Sequence, residues 1–180
     1  MVTEQQILTL AREAGFSPAF CDTADITVDH TFRRYCEENL CGQYGKNYGC
    51  PPNCGLPEEM EAQLRIHGRA LVLQSAWPIT DYSDHAAIAA AKVAHNAASQ
   101  ALLQTLAAEG IGGFMVGCSG CTVCAQCALL RGAPCVYPAQ RYACMSAYCV
   151  HVLDLATRCN LRYDCADGNL RMFGMLVLKK

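Results

Sequence analysis

The chain has 180 residues, a formal net charge of −2, 52% hydrophobic residues and 17% charged residues. A chain of this length can bury a real core without covalent staples, and this composition excludes a disordered segment. The near-neutral balance gives no reason to expect a nucleic-acid partner, and no apolar run reaches the ~18 residues that a membrane span needs.

Thr3 followed by Gln6 is a capping-box start, and Gly15 is a natural stop, so a short helix is predicted with Ile7, Ala11 and Ala14 on one face. Residues 17–29 hold two extended candidates, Pro18–Phe20 and Ile26–Val28. A cysteine-rich loop follows from Cys36 to Cys54. Pro57 and the acids Glu58 and Glu59 open a second helix that ends before Gly68. The run Ala70-Leu71-Val72-Leu73, bounded by Gly68 and Pro78, reads as a buried strand. Ser83 to Glu109 is an alanine-rich helix stopped by Gly110. Gly113 to Gly117 is a brief strand that runs straight into a second group of cysteines. Ser146 to Cys159 has helical period, with Cys149, Val152, Leu153 and Ala156 on one face, and Met172 to Leu178 forms a last apolar strand.

Strands alternating with helices predict an α/β fold, a small mixed sheet with helices packed on it and cysteine-rich loops carrying metal clusters. A ferredoxin-like α+β plait is the alternative. No repeat or linker divides the chain, so it reads as a single domain over residues 1–180, with cluster loops at 36–54 and 118–138.

The chemistry lies in the 14 cysteines. The N-terminus has no basic start, apolar stretch or cleavage site, which argues for a reducing, cytoplasmic setting where cysteines serve metals or catalysis more often than disulfides. The strongest signal is Cys118-Ser-Gly-Cys121-Thr-Val-Cys124-Ala-Gln-Cys127, with Cys135 and Pro138 beyond it. An x2 ladder lets one tight loop place several sulfurs around a compact object, which suits the separate irons of a cubane. The ladder is similar to the bacterial ferredoxin run, but its last cysteine is displaced to x7, and five thiols face four iron positions. A zinc knuckle is the bland alternative, although zinc sites usually pair hooks from separated segments. The second constellation is Cys36-x4-Cys41-x8-Cys50-Pro51-Pro52-Asn53-Cys54, with Arg33, Arg34 and Lys46 placed to offset thiolate charge. A zinc loop or unrelated thiols would read the same way.

The run Cys36-x4-Cys41-Gly-Gln-Tyr44-Gly45-Lys46 leading into Cys50-Pro51-Pro52 resembles the N-terminal motif of the predicted metal-binding proteins, a cysteine-rich prokaryotic family. The later run Cys121-x2-Cys124-x2-Cys127-x7-Cys135-x2-Pro138, followed by Met145-Ser146-Ala147-Tyr148, is similar to its second motif. The resemblance implies metal or iron–sulfur binding and brings no reaction with it. Cys54 and Cys118 are additions to that pattern, and Val150-His151-Val152 stands in place of a hydrophobic–acidic–hydrophobic triplet.

Among the remaining residues, Cys149 reads as a small core residue, Cys21, Cys144, Cys159 and Cys165 lack ligand spacing, and His95 reads as exposed. His151, Asp154 and Arg158 share a polar helix face. Tyr35, Tyr44, Tyr48, Tyr137 and Tyr142 crowd the cysteine motifs, as cluster shields or as ordinary packing. The leading expectation is two [4Fe-4S] clusters carrying single electrons between redox protein partners. Cys121, Cys124, Cys127 and Cys135 would hold one cluster, and Cys36, Cys41, Cys50 and Cys54 the other. An enzyme with an open iron acting on a small or sulfur-containing substrate, and a zinc-stabilised interaction module, are the other readings.

Overall fold

The computed structural model describes residues 2–79 and 81–179. Helix α1 (Glu4–Glu13) begins at the expected capping box: the Gln6 N–H donates to Thr3 Oγ1 at 3.2 Å and the Thr3 N–H to Gln6 Oε1 at 2.8 Å. Strand β1 (Ser17–Asp22) contains the first extended candidate. The second candidate is not a strand. Thr23–Asp25 closes a 3-10 turn, Ile26 drops into the core at 1% exposure, and Val28 makes a single bridge to Val150. Helix α2 (Arg33–Glu37) opens the first cysteine loop, and α3 (Pro57–Arg65) follows it with proline and two acids in its first turn.

Strand β2 (Arg69–Pro78) is longer than its apolar run because it pairs along its whole length with β5 (Asn169–Leu178), from Arg69 opposite Leu178 to Pro78 opposite Asn169. Helix α4 (His85–Ala108) is capped by Asp84, whose carboxylate accepts the Ala87 N–H at 2.9 Å. Strand β3 (Gly113–Gly117) has the expected limits. A two-residue strand, β4 (Ala143–Cys144), carries too little pattern to be read from sequence.

The sheet order is β1-β2-β5-β3-β4, antiparallel except for the parallel β3–β4 pair. Alternation along the strands sends side chains to opposite faces. Leu71, Leu73 and Leu176 pack under α1 and α4 with Ile7, Ala11, Leu102 and Leu106, whereas Val72, Met175 and Val177 pack under α3 and the last helix with Met60, Leu64 and Leu155. Each such fully buried leucine or valine contributes about 1.5–3 kcal/mol of transfer free energy. Helices on both faces and a parallel edge pair make this the expected small mixed α/β sheet and not a plait. No helix among the described residues is long and apolar enough to cross a membrane.

The helix expected over 146–159 is reduced to α5 (Val152–Arg158). Residues 144–150 instead form turns, with Tyr148 N–H donating to Cys144 O and Val150 N–H to Met145 O, and Cys149 adopts a left-handed φ of 56°. Cys149 is therefore a fully buried turn residue and not part of a helix face, and Leu153 is 49% exposed. His151 caps α5, its Nδ1 accepting the Asp154 N–H, while Asp154 pairs with Arg158 at 2.9 Å.

His95 also departs from expectation. It is 1% exposed, with Nδ1 bonded to Ser75 Oγ at 2.7 Å and Nε2 without a partner among the described residues. Its Nε2 lies 2.9 Å from where a Cβ on Gly174 would stand, so only glycine fits there. Burial pushes its pKa down to about 4, which keeps the imidazole neutral.

Candidate metal centre

The loop after β3 is set by its contacts on both sides. A Cβ at Gly117 would lie 2.6 Å from the Tyr142 ring and 2.9 Å from Asn96 Oδ1, so the chain passes there only as glycine. Asn96 of α4, itself 1% exposed, accepts the Cys118 N–H at 3.0 Å and donates to Ser119 Oγ at 2.9 Å. The Tyr142 hydroxyl accepts the Thr122 N–H at 2.9 Å. These bonds fix the turn that presents Cys121.

Cys121, Cys124, Cys127 and Cys135 then line one small cavity together with Tyr48, Tyr137 and Arg141. The x7 gap is explained by a turn of 3-10 helix, Ala128–Arg131, which ends at Gly132 with φ 65° and returns the chain so that Cys135 comes back to the cavity that Cys127 lines. Burial raises the Cys121 thiol above its ordinary value, and backbone N–H donors pull it back in part. Cys118 is absent from this cavity. Its thiol donates to Lys92 O at 3.6 Å, and burial pushes it up to about 12. The fifth thiol of the ladder is thus turned toward α4.

The first loop is built differently. Cys36 sits on α2, while Cys41, Cys50 and Cys54 lie in the turns that follow. Asn47, 6% exposed, organises them: its Oδ1 accepts the Gly49 N–H at 2.8 Å and its Nδ2 donates to Cys121 O at 2.7 Å. Gly49 lies against the Tyr142 carbonyl so closely that a Cβ would overlap it. Cys50 is 4% exposed, and its Sγ lies 2.7 Å from where a Cβ on Gly120 would stand. The two loops are therefore in direct contact.

Burial raises the Cys50 thiol strongly, and the neighbouring thiols Cys144, Cys41, Cys54 and Cys36 add to the rise. Burial also pushes Cys36 up to about 12, with Cys144, Cys41 and Cys149 adding and Arg33 opposing. Cys144, on β4, belongs to this thiol group although its sequence spacing gives no hint of it. Cys54 is raised by burial, with Arg33 opposing. The Arg33 guanidinium donates to Cys54 Sγ at 3.8 Å and to Ala147 O at 2.9 Å.

Of the three cations expected near this loop, Arg33 touches a thiol, Arg34 lies over the Tyr35 ring at 5.0 Å, and Lys46 is exposed. Arg141, which carried no signal in the sequence, lies at the other cavity. Of the tyrosines, Tyr48 and Tyr137 line the cavity, Tyr142 is buried beneath it, and Tyr35 is half exposed.

Both sets offer sulfur donors alone, which suits thiophilic metals and iron–sulfur clusters and not magnesium or calcium. Among the described residues no three His, Cys, Asp or Glu side chains form a ready cage for a single ion. Residues 19–178 match the profile of a family described as predicted metal-binding protein, DUF2284. The chain belongs to this family. No curated protein and no solved structure matches it significantly. The matched span of this DUF2284 protein runs from within β1 to the end of β5 and takes in both cysteine loops. The resemblance carried by the two motifs is therefore correct at the level of the metal-binding family.

Proposed function

We propose that this DUF2284 protein binds two [4Fe-4S] clusters and transfers single electrons between redox protein partners in a reducing compartment. Cys121, Cys124, Cys127 and Cys135 hold one cluster, and Cys36, Cys41 and Cys50 with one further thiol hold the other. The observation that carries this reading is the contact between two all-thiol sets, with Cys50 Sγ against Gly120 and Asn47 donating to Cys121 O. Bound clusters would supply one-electron oxidation and reduction, and two centres in adjoining loops suit a relay. The chain's own part is to orient sulfurs, to limit water through Tyr48 and Tyr142, and to set cations near the thiolates. Val136 and Tyr137 at the outer cavity are about half exposed, which suits the small, transient contacts of electron transfer.

One observation favours a zinc-stabilised module instead: the outer cavity holds about 20 Å³, the room of a single ion. Iron, zinc and acid-labile sulfide are measured per chain on protein purified without oxygen. About eight irons and eight sulfides support the relay, and an electron paramagnetic resonance signal that appears on one-electron reduction supports its role. About one or two zincs without sulfide overturn it in favour of the structural module.

A further inference from the structure

The inner centre needs a fourth thiol, and chain order offers Cys54. We propose that Cys144 of β4 completes the inner centre with Cys36, Cys41 and Cys50, and that Cys54 stands outside it, held by Arg33 and Met60. This assignment rests on reading the first loop as a metal centre.

The topology brings Cys144 there. The parallel register pairs Val116 with Ala143 and Gly117 with Cys144, so Cys144 emerges at the same sheet edge as the loop that begins at Cys118. The Met145 N–H donates to Gly117 O at 3.0 Å and holds the two exits together. The Cys50 sulfur rests on that loop at Gly120, and the Tyr142 carbonyl presses on Gly49. The first loop therefore meets the chain at Tyr142, two residues before Cys144. The electrostatics agree: Cys144 is the thiol neighbour felt most strongly by both Cys36 and Cys50, and Cys144 in turn feels Cys41 first and Cys54 after it.

Cys54 borders this thiol group, being felt by Cys50 and Cys144, but its own contacts are with other side chains. Its Sγ is 3.5 Å from Met60 Sδ, which lies 2% exposed in the core beneath α3, and 3.8 Å from Arg33 Nη1. Arg33 also donates to Gly55 O at 3.0 Å and to Ala147 O at 2.9 Å, bridging the end of the first loop to the turn after β4. Its buried charge sits beside the centre and offsets thiolate charge without itself needing Cys54 as a ligand.

The test compares metal and sulfide content in the wild type, Cys144→Ala, Cys54→Ala and, as the outer-loop reference, Cys124→Ala, all prepared without oxygen. Cys144→Ala is expected to lose about half of the bound metal and Cys54→Ala to keep nearly all of it. Loss in Cys54→Ala, or retention in Cys144→Ala, overturns the assignment. Should Cys144→Ala fail to fold by circular dichroism, iodoacetamide mapping of the unmutated protein decides. Cys144 should be protected until a chelator removes the metal, and Cys54 should react equally before and after. Protection of Cys54 by metal, or reactivity of Cys144 in the loaded protein, overturns it. The comparison reads the same way if the metal proves to be zinc, so failure of the iron–sulfur reading and failure of this ligand assignment are separate results. A wild type without metal at either loop overturns both.

Discussion

The outer loop at 118–138 is assembled by neighbours in sequence, whereas the inner loop at 36–54 is assembled by the fold. At the outer loop, x2 spacing and one short helical turn bring Cys121, Cys124, Cys127 and Cys135 to a shared cavity. At the inner loop, Cys36 arrives on a helix, Cys50 is almost wholly buried, and Cys144 comes from the far edge of the sheet. A thiol buried before metal arrives is held protonated, so a metal entering the inner group would have to displace protons from sites that resist ionisation. On the proposed reading, binding there would be coupled to pH and to folding, while the outer group would depend on its own turn and on the Asn96 and Tyr142 bonds that hold it.

The sharpest way to break this contrast is Gly49→Ala, which drives a methyl group into the Tyr142 carbonyl. Overpacking of this kind costs up to about 3 kcal/mol, which lowers the Tm by about 6–12 °C in a chain of this size. Thermal unfolding should show that drop, with metal lost from Cys36, Cys41 and Cys50 before the outer loop. Asn47→Ala cuts the tie between the loops by removing bonds to Gly49 and Cys121. A loss of about 2 kcal/mol is expected in urea titration, with metal content lowered at both loops.

The protonation argument gives a third expectation. Cys36 is raised from 9.0 to about 12, so its contribution to the metal-free fold is complete below pH 9 and is lost as the pH rises toward 12. Metal-free protein should lose about 1 kcal/mol per such thiol between pH 8 and pH 10 in denaturant midpoints. Cys36→Ala should flatten that slope. A slope unchanged by this substitution would remove Cys36 as its source. The smallest effect belongs to Tyr142→Phe, which strips the hydroxyl from Thr122. It should cost about 0.5–1 kcal/mol and loosen metal at the outer loop while leaving the inner loop unchanged.

What could be read from sequence follows the same division. Local signals with their own physics were legible: the Thr3–Gln6 capping box, proline in the first turn of α3, the alanine-rich α4 and the apolar strands β2, β3 and β5. The shared cavity of the outer thiols was legible for the same reason, since x2 spacing is a local constraint. Cys144 was not, because its nearness to Cys50 comes from a two-residue strand whose pairing is decided by β3. The helical period over 146–150 misled because Cys149 adopts a left-handed turn, which the spacing of apolar side chains cannot register. His95 misled because alanines surround it in sequence, whereas its actual neighbours, Ser75, Phe16 and Gly174, come from three other segments.

Trp77 is the chain's one tryptophan. Its indole N–H donates to Ser75 Oγ at 2.8 Å, and the same hydroxyl is bonded to His95 Nδ1 at 2.7 Å. The residue after His95 is Asn96, which grips the outer loop at Cys118 and Ser119. The protein thus carries a built-in optical probe: unlabelled indole emission monitors the seam between sheet and α4, and any loosening of the helix that anchors the outer loop should register as a change in colour.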